Sequence, residues 1–359
     1  MPFFSIIIGV YNIGKYFESG INQLLGQTFD NYEIILVDDG STDNCSYLCD
    51  KWSQKDSRII TVHKDNGGLG SARNVGFEIA RGQYIWSFDL DDMLDSDALE
   101  RLYLYALETS AEVICFGYTE HNVLYGTSVS FEFKRLSCFS NEEVRSIYVD
   151  HLLGGKFNNG FFWNKLYSRA FIEKNHLRFG NEFIQQDELF NIKVFSCVNH
   201  LELIPGFYYH YYVYNSGNNR SRYIANRFEI ISKVRNEFLE LYSSWNLNDR
   251  KMLVYVYQRF FNDILVVLNF NLFHPDSNFR FIQRKIKVKE IFGHELTRDC
   301  ISRMDELDII PHDFYKKGNY LAIKRQSFVF FIFIHYTNII IMNVLRRIRF
   351  LSKGHLNYS

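Results

Sequence analysis

The chain has 359 residues, 47% of them apolar, with 34 Phe and 24 Tyr against only 4 Pro, enough for a globular domain with a real core plus a smaller attachment. A formal net charge of −1 excludes a broad nucleic-acid surface, so any attraction to a membrane must come from a local patch. The six cysteines form no Cys-x-x-Cys pair and no zinc spacing, and no basic start precedes an apolar stretch at the N-terminus, so a reducing, cytoplasmic setting is expected.

Phe3–Asn12 is a short apolar run with β-branched residues, and a helical stretch follows to Gln27. Tyr32–Gly40 is a second run, followed by a polar helix over Asp43–Lys55 and a third run over Arg58–Lys64. Gly67–Gly82 has the glycines and alanines of a loop feeding a closely packed helix. Gln83–Asp89 is a fourth run, Asp95–Thr109 a helix and Ala111–Tyr118 a fifth run. Apolar runs alternating with helices predict an α/β fold with a parallel sheet covered on both faces. Beyond Tyr118 the rhythm is lost: Asn122–Phe139 reads as irregular strands and Glu142–Leu153 as a helix. Residues 155–225 are rich in aromatics, Asn and Gly without a clean period, and from Ile224 the pattern is helical nearly to the end.

Phe328–Phe350 is strongly apolar, but His335, Asn338 and Asn343 interrupt it and Arg346, Arg347 and Arg349 close it. A spanning helix needs roughly 20 apolar residues in a row. Three readings stay open: a buried terminal helix, a helix lying in a membrane interface with its arginines on anionic headgroups, and a true span.

In open α/β sheets ligands bind beyond the carboxyl ends of the strands. Gly9-Val10-Tyr11-Asn12, Asp38-Asp39-Gly40-Ser41 and Asp89-Leu90-Asp91-Asp92 each end one of the runs, so all three are expected on one edge. Crowded carboxylates repel one another, and a hard divalent cation sharing its oxygen ligands with substrate phosphates relieves that repulsion. Asp89 and Asp91 therefore suit metal or ribose binding, whereas Asp95 and Asp97 read as the cap and first-turn acid of the next helix. Asp38 and Asp39 end their strand either as an ordinary Asp-Gly-Ser turn or as acceptors for a nucleotide. No Gly-x-Gly-x-x-Gly follows the first strand and no Walker loop is present, which excludes the dinucleotide and P-loop readings.

The ordered segments "SIIIGVYN", "QTFDNYEIILVDDGSTDN", "NGGLGSARNVG" and "GQYIWSFDLDD" resemble the nucleotide-sugar-binding half of the family 2 inverting glycosyltransferases of GT-A fold. "FFWNKLYSRAFI" and "QQDELFNIKVF" resemble the family's acceptor-side segments, so the resemblance covers roughly residues 3–225. It implies a Rossmann-like, mostly parallel central sheet with helices on both faces over residues 1–225, with a donor half at 1–118 and an acceptor half at 119–225. The resemblance does not cover residues 226–359, which are expected to form a helical C-terminal region whose apolar last segment leaves membrane association open.

Carried over by position, Gly9, Val10 and Tyr11 would line the nucleotide pocket. Gly9 stands where the family has proline, so a looser turn is expected. Asp39 would accept a hydrogen bond from the base edge with Asp38 nearby, and Arg73 would lie near the diphosphate. Asp89 and Asp91 would hold ribose and a Mn²⁺ or Mg²⁺ ion, with Asp91 the direct ligand and Asp92 beside it. Asp187 would be the general base, preceded by Gln186 where the family has Glu. Trp163 and Lys165 would face the acceptor cleft, and His210 and Arg222 would approach the diphosphate.

The implied activity is metal-dependent, hexosyltransferase-type transfer with inversion from a nucleotide-sugar, UDP-linked, to a saccharide or lipid-linked saccharide acceptor in surface polysaccharide biosynthesis. It would take place in the cytoplasm at the inner face of the cell membrane, with no nucleic-acid partner. Gln-x-x-Arg-Trp and multiple spans are missing, which favours one transfer per binding event. Two rivals use similar residues: a sugar-nucleotide-forming nucleotidyltransferase, which needs a basic Gly-rich loop after strand one, and a non-catalytic nucleotide-sugar-binding subunit of an assembly complex.

Overall fold

The computed structural model describes residues 1–153, 160–214, 222–246 and 249–354, with side chains described as far as Met342. They form two compact units, Met1–Ser216 with Glu240–Leu247, and Gly217–Leu239 with Asn248–Ser359.

The first unit is built on one sheet. Its strands are β1 (Phe4–Val10), β2 (Tyr32–Asp38), β3 (Ile59–His63), β4 (Tyr84–Ser87), β5 (Met93–Leu94), β6 (Val113–Asn122), β7 (Thr127–Phe131), β8 (Leu136–Cys138), β9 (Lys165–Ser168) and β10 (Leu201–Val213). The helices in this span are α1 (Gly14–Leu25), α2 (Cys45–Lys55), α3 (Leu69–Ile79), α4 (Ala98–Thr109), α5 (Asn141–Ile147), α6 (Arg169–Lys174) and α7 (Gln186–Cys197). The strand order is β3-β2-β1-β4-β9-β6-β10-β5, with β7 added on β6 and β8 on β10.

β1 is apolar along its whole length because it is covered on both faces. Phe4, Ile6, Ile8 and Val10 pack with Phe17, Ile21 and Leu24 of α1, whose three- and four-residue spacing gives that helix its buried stripe. Ile7 points to the opposite face, where a side chain on Gly76 of α3 would meet its Cγ2 at 2.4 Å. Parallel registers align Val10 with Asp38 and Asp38 with His63, so the strands deliver their carboxyl ends to one edge.

The fourth and fifth apolar runs are not neighbours, contrary to the simple alternating reading. β9 lies between β4 and β6, antiparallel to both. It has only four residues inside an aromatic-rich segment, so no period-two alternation marks it in the sequence.

The second unit is helical: α8 (Arg227–Ser244) as far as Leu239, α9 (Arg250–Val266), α10 (Phe281–Gly293), α11 (Glu295–Glu306), α12 (Phe314–Lys324) and α13 (Phe328–Gly354). Phe260, Phe261, Ile264, Phe292, Met304, Tyr320 and Phe331 are among its core residues. α13 divides into two faces. Phe331, Ile334 and His335 are buried, while Val329, Phe333, Tyr336 and Ile340 form an exposed stripe. Among the described residues, whose side chains end at Met342, no helix is long and apolar enough to cross a membrane. The side chains of Arg346, Arg347 and Arg349 lie outside the described ones.

Candidate active site

The edge of the first unit is organised by its aspartates. Asp39 follows β2, and its backbone N–H donates to the Val10 carbonyl at 2.9 Å. Its Oδ1 accepts from Lys64 Nζ at 2.6 Å and Gly67 N–H at 2.9 Å, and its Oδ2 accepts from Gly68 N–H at 2.7 Å. Gly68 has φ +85°, which an L side chain rarely adopts, and this conformation turns successive N–H groups onto the carboxylate. Asp38 accepts from the Ser41 N–H at 3.0 Å and the Ser46 hydroxyl at 2.5 Å, and meets His63 Nδ1 at 2.8 Å. Burial opposes its ionisation, but these hydrogen bonds outweigh it and hold the carboxyl down at about 2. Both carboxylates thus brace the loops of this edge.

Tyr11 is exposed at the edge and Val10 is fully buried beneath it. Gly9 makes no loose turn. It lies inside β1 opposite Val37, where a Cβ would meet Leu69 Cδ1 at 2.5 Å, so the missing side chain makes room for the first residue of α3.

Beyond β4 the chain turns through Asp89–Asp92. Burial, with repulsion from Asp91 and Asp187, raises the Asp89 carboxyl to about 6 against the pull of Arg73. Burial also raises Asp91. Asp92 is committed elsewhere, a correction to its place beside a metal. Its Oδ2 accepts from the Tyr209 hydroxyl at 2.7 Å and its Oδ1 from the Tyr212 N–H at 2.8 Å, tying the turn to β10. α1 supports the turn from the other side. A Cβ on Gly20 would meet the Leu90 backbone oxygen at 2.9 Å, and the Gln23 and Gln27 side chains bond the backbone of 92–95.

The opposite wall comes from α7. Asp187 is the second residue of that helix, where the positive end of the macrodipole favours a carboxylate. One face of α3 docks against this region through positions 70, 73, 74 and 77, the three- and four-residue spacing of a helical stripe. Gly70 N–H donates to Gln186 Oε1 at 2.7 Å, and Asn74 exchanges two hydrogen bonds with the Phe179 backbone at 2.9 and 3.1 Å. Phe77 packs on Phe162, Phe179 and Phe190. Arg73 Nη1 pairs with Asp187 Oδ1, while its Nη2 lies 3.9 Å from Asp89 Oδ1. The carboxylate that follows β4 and that of α7 are therefore joined by one guanidinium.

Arg73 is fully buried. Trp163 and Lys165 do not face a cleft. Trp163 is stacked in the core on Tyr209 at 4.3 Å and Phe161 at 4.5 Å. Lys165 donates to the Phe161 carbonyl at 2.6 Å and Asn164 Oδ1 at 2.8 Å, and burial pulls its ammonium down to about 8. In a Phe- and Tyr-rich chain, aromatic residues fill the core before they line a surface. His210 bridges His121 and Asp95, each at 3.0 Å, and is held at the β5–β10 junction. Arg222 belongs to the second unit, where its carbonyl accepts from Arg227. Sequence reasoning missed the braces themselves: Lys64, His63, Gln23, Gln27, Tyr209, Tyr212 and Asn74. Of these, only the paired glycines beside Lys64 carried a local signal. Among the described residues no three His, Cys, Asp or Glu side chains converge as metal ligands.

The model of "Glycosyl transferase family 2" matches residues 5–175. The chain is 32% identical over 183 residues to "Glycosyltransferase GlyG" of Streptococcus pneumoniae, covering 50% of this chain and 61% of that protein. It is 25% identical over 352 residues to "Cholesterol galactosyltransferase" of Borreliella burgdorferi, covering 92% and 96%. It spans about three fifths of the length of GlyG and of the other first curated relatives it matches. In fold it is similar to residues 1–349 of S. aureus TarS, solved in complex with UDP, with TM-score 0.62 and 19% identity over 94% of this chain and 91% of that one. Aspartate-tipped parallel strands, the α3 seam and these similarities agree: residues 5–175 match the model of glycosyl transferase family 2, and the fold is similar to that of the GT-A glycosyltransferase TarS.

Proposed function

We propose that this chain is an inverting glycosyltransferase that moves a sugar from a UDP-linked donor to a hydroxyl of a saccharide or lipid-linked saccharide during surface polysaccharide biosynthesis. The observation that supports the reading is the guanidinium of Arg73, paired with Asp187 and 3.9 Å from Asp89, two residues before Asp91. Inversion needs an acceptor hydroxyl on the face of the sugar opposite the leaving diphosphate, with a carboxylate placed to take its proton. Asp187 suits that role: its side chain is 21% exposed, open enough for a hydroxyl, while two donors from the protein fix its direction.

Asp89 and Asp91 fit a hard cation. They are oxygen donors whose crowding and burial make ionisation costly, and two carboxylates leave room for ligands from a diphosphate. A bound Mn²⁺ or Mg²⁺ would neutralise charge growing on the departing diphosphate. Asp38 and Asp39 keep the nucleotide edge rigid, so that Tyr11 and the backbone of 9–12 meet the base on a fixed surface. TarS, crystallised with UDP and with UDP-GlcNAc, supports a uridine nucleotide.

Peripheral attachment to the inner face of the cell membrane fits the second unit. The exposed stripe of α13 and the exposed Phe281, Ile282 and Ile286 of α10 are apolar, and Lys285, Lys287 and Lys289 are exposed on α10 beside them.

The test is UDP release from a panel of UDP-sugars with and without Mn²⁺, using lipid-linked and free saccharide acceptors. Wild type is expected to turn over one donor in a metal-dependent way. Asp91→Ala and Asp187→Ala are each expected to lose about 1,000-fold in kcat or more, the size of loss for a charge-stabilising or proton-accepting group. Nucleotide binding with no turnover of any donor favours the binding-subunit alternative and ends this reading.

A further inference from the structure

We infer that Arg73 is a positioning residue that aims the Asp187 carboxylate and does not itself hold the donor; the inference rests on the transfer reading above. The Arg73 side chain has no exposed surface and lies against the rings of Phe162 and Phe179 at 5.0 and 5.3 Å. A guanidinium is charged at all working pH values and carries five N–H groups in a fixed fork. Here one nitrogen, Nη1, has its acceptor on Asp187, while Nε and Nη2 have no hydrogen-bond partner among the described residues. Burying such a group with one acceptor is costly. The charges of Asp187 and of Asp89, 3.9 Å from Nη2, offset that cost and keep the side chain between them.

Asp187 is held from two directions. Its Oδ1 takes Arg73 and its Oδ2 takes the Phe162 N–H at 3.3 Å. Neither partner swings freely: Phe162 is itself buried and stacked on Tyr167 at 4.5 Å, and Arg73 rides on a helix docked by Gly70 and Asn74. The carboxylate therefore keeps one orientation, with 21% of the side chain left open. Arg73 comes from the donor-side helix α3 and Asp187 from the acceptor-side helix α7, so a single ion pair sets the register between the two halves of the reaction.

The experiment uses the full chain, wild type and Arg73→Lys, Asp187→Ala, the double variant and Ser5→Ala. UDP affinity is read by calorimetry, kcat and KM by UDP release, and folding by melting temperature. Arg73→Lys is expected to bind UDP within about twofold of wild type with little change in donor KM, and to lose about 100-fold in kcat, as a displacement of about 1 Å costs. The double variant is expected to be no slower than Asp187→Ala, because residues acting as one unit are not additive. Ser5→Ala, which removes a buried hydroxyl bonded to Glu33 and to the Gly82 N–H at the other end of β1, is expected to melt lower yet keep kcat within about threefold. A tenfold or greater loss of UDP affinity in Arg73→Lys, multiplicative losses in the double variant, or an equal kcat loss in Ser5→Ala would each overturn the assignment. A structure of the wild type with UDP bound needs no variant to fold: Arg73 should stay on Asp187, and a hydrogen bond from it to a phosphate oxygen would overturn the assignment as well. Failure of the transfer reading looks different, since wild type itself would then bind UDP and release none from any donor.

Discussion

Asp38 and Asp89 are both aspartates at strand ends, the first buried and the second 32% exposed, and their surroundings push them in opposite directions. Asp38 is held at about 2, below the ordinary 3.8, so its contribution to stability is complete above about pH 4 and is lost as pH falls towards 2. Its partner His63 is raised by Asp50 and Asp38, so that contribution is complete below 6.5 and is lost as pH rises through the raised value. Urea denaturation should therefore show Asp38→Asn costing about 2 kcal/mol at pH 5 and less at pH 8. Equal costs at both pH values would show that the pair is not coupled. Asp89 is raised to about 6, so its ionisation penalises folding increasingly from about pH 4 to 6 and fully above. Asp89→Asn should therefore melt a few degrees higher than wild type at pH 8, with no gain at pH 4, while losing transfer. An unchanged or lower melting point at pH 8 would mean that Arg73 already compensates the charge.

At the scale of elements, the site depends on two helices pressed close to backbone. α1 leaves no room at Gly20, where a Cβ would lie 2.9 Å from the Leu90 oxygen and 3.0 Å from its Cα. Gly20→Ala should cost about 1–3 kcal/mol by denaturation and shift the turn bearing Asp91, so that metal is required at higher concentration for the same rate. A variant with wild-type stability and metal response would show that the turn is not set by α1. α3 is read from two sides: Ala72 and Gly76 meet β1, while Gly70, Arg73, Asn74 and Phe77 meet the region of α7. The stretch "GLGSARNVGF" thus packs as a seam, and this accounts for its small residues better than a phosphate loop would.

For the whole molecule, the two units carry different parts of the proposal, chemistry in the sheet and attachment in the helices. Phe333→Glu combined with Ile340→Glu alters only exposed positions of α13. Wild type should sediment with vesicles containing phosphatidylglycerol and not with phosphatidylcholine alone, and the double variant should bind about tenfold more weakly or worse. Deleting the whole helix is a poorer test, because Phe331 and Ile334 belong to the core. Failure of the wild type to bind anionic vesicles would remove the membrane from the proposal.

The sequence alone determined the alternating architecture as far as Tyr118, the edge on which the aspartate-bearing turns gather, and the resemblance to family 2 glycosyltransferases. Those features are local: apolar runs, spacing within a helix, and short motifs set by neighbouring residues. The tertiary structure alone decided that β9 enters between β4 and β6, that Asp92, Trp163, Lys165 and His210 serve the packing, and that Arg73 pairs with Asp187. Apart from Lys165, which bonds its near neighbours Phe161 and Asn164, each of these joins residues far apart in the chain. A carboxylate, a lysine or a tryptophan has the same letter whether it faces a cleft or a core, and only the partners that folding brings to it settle which.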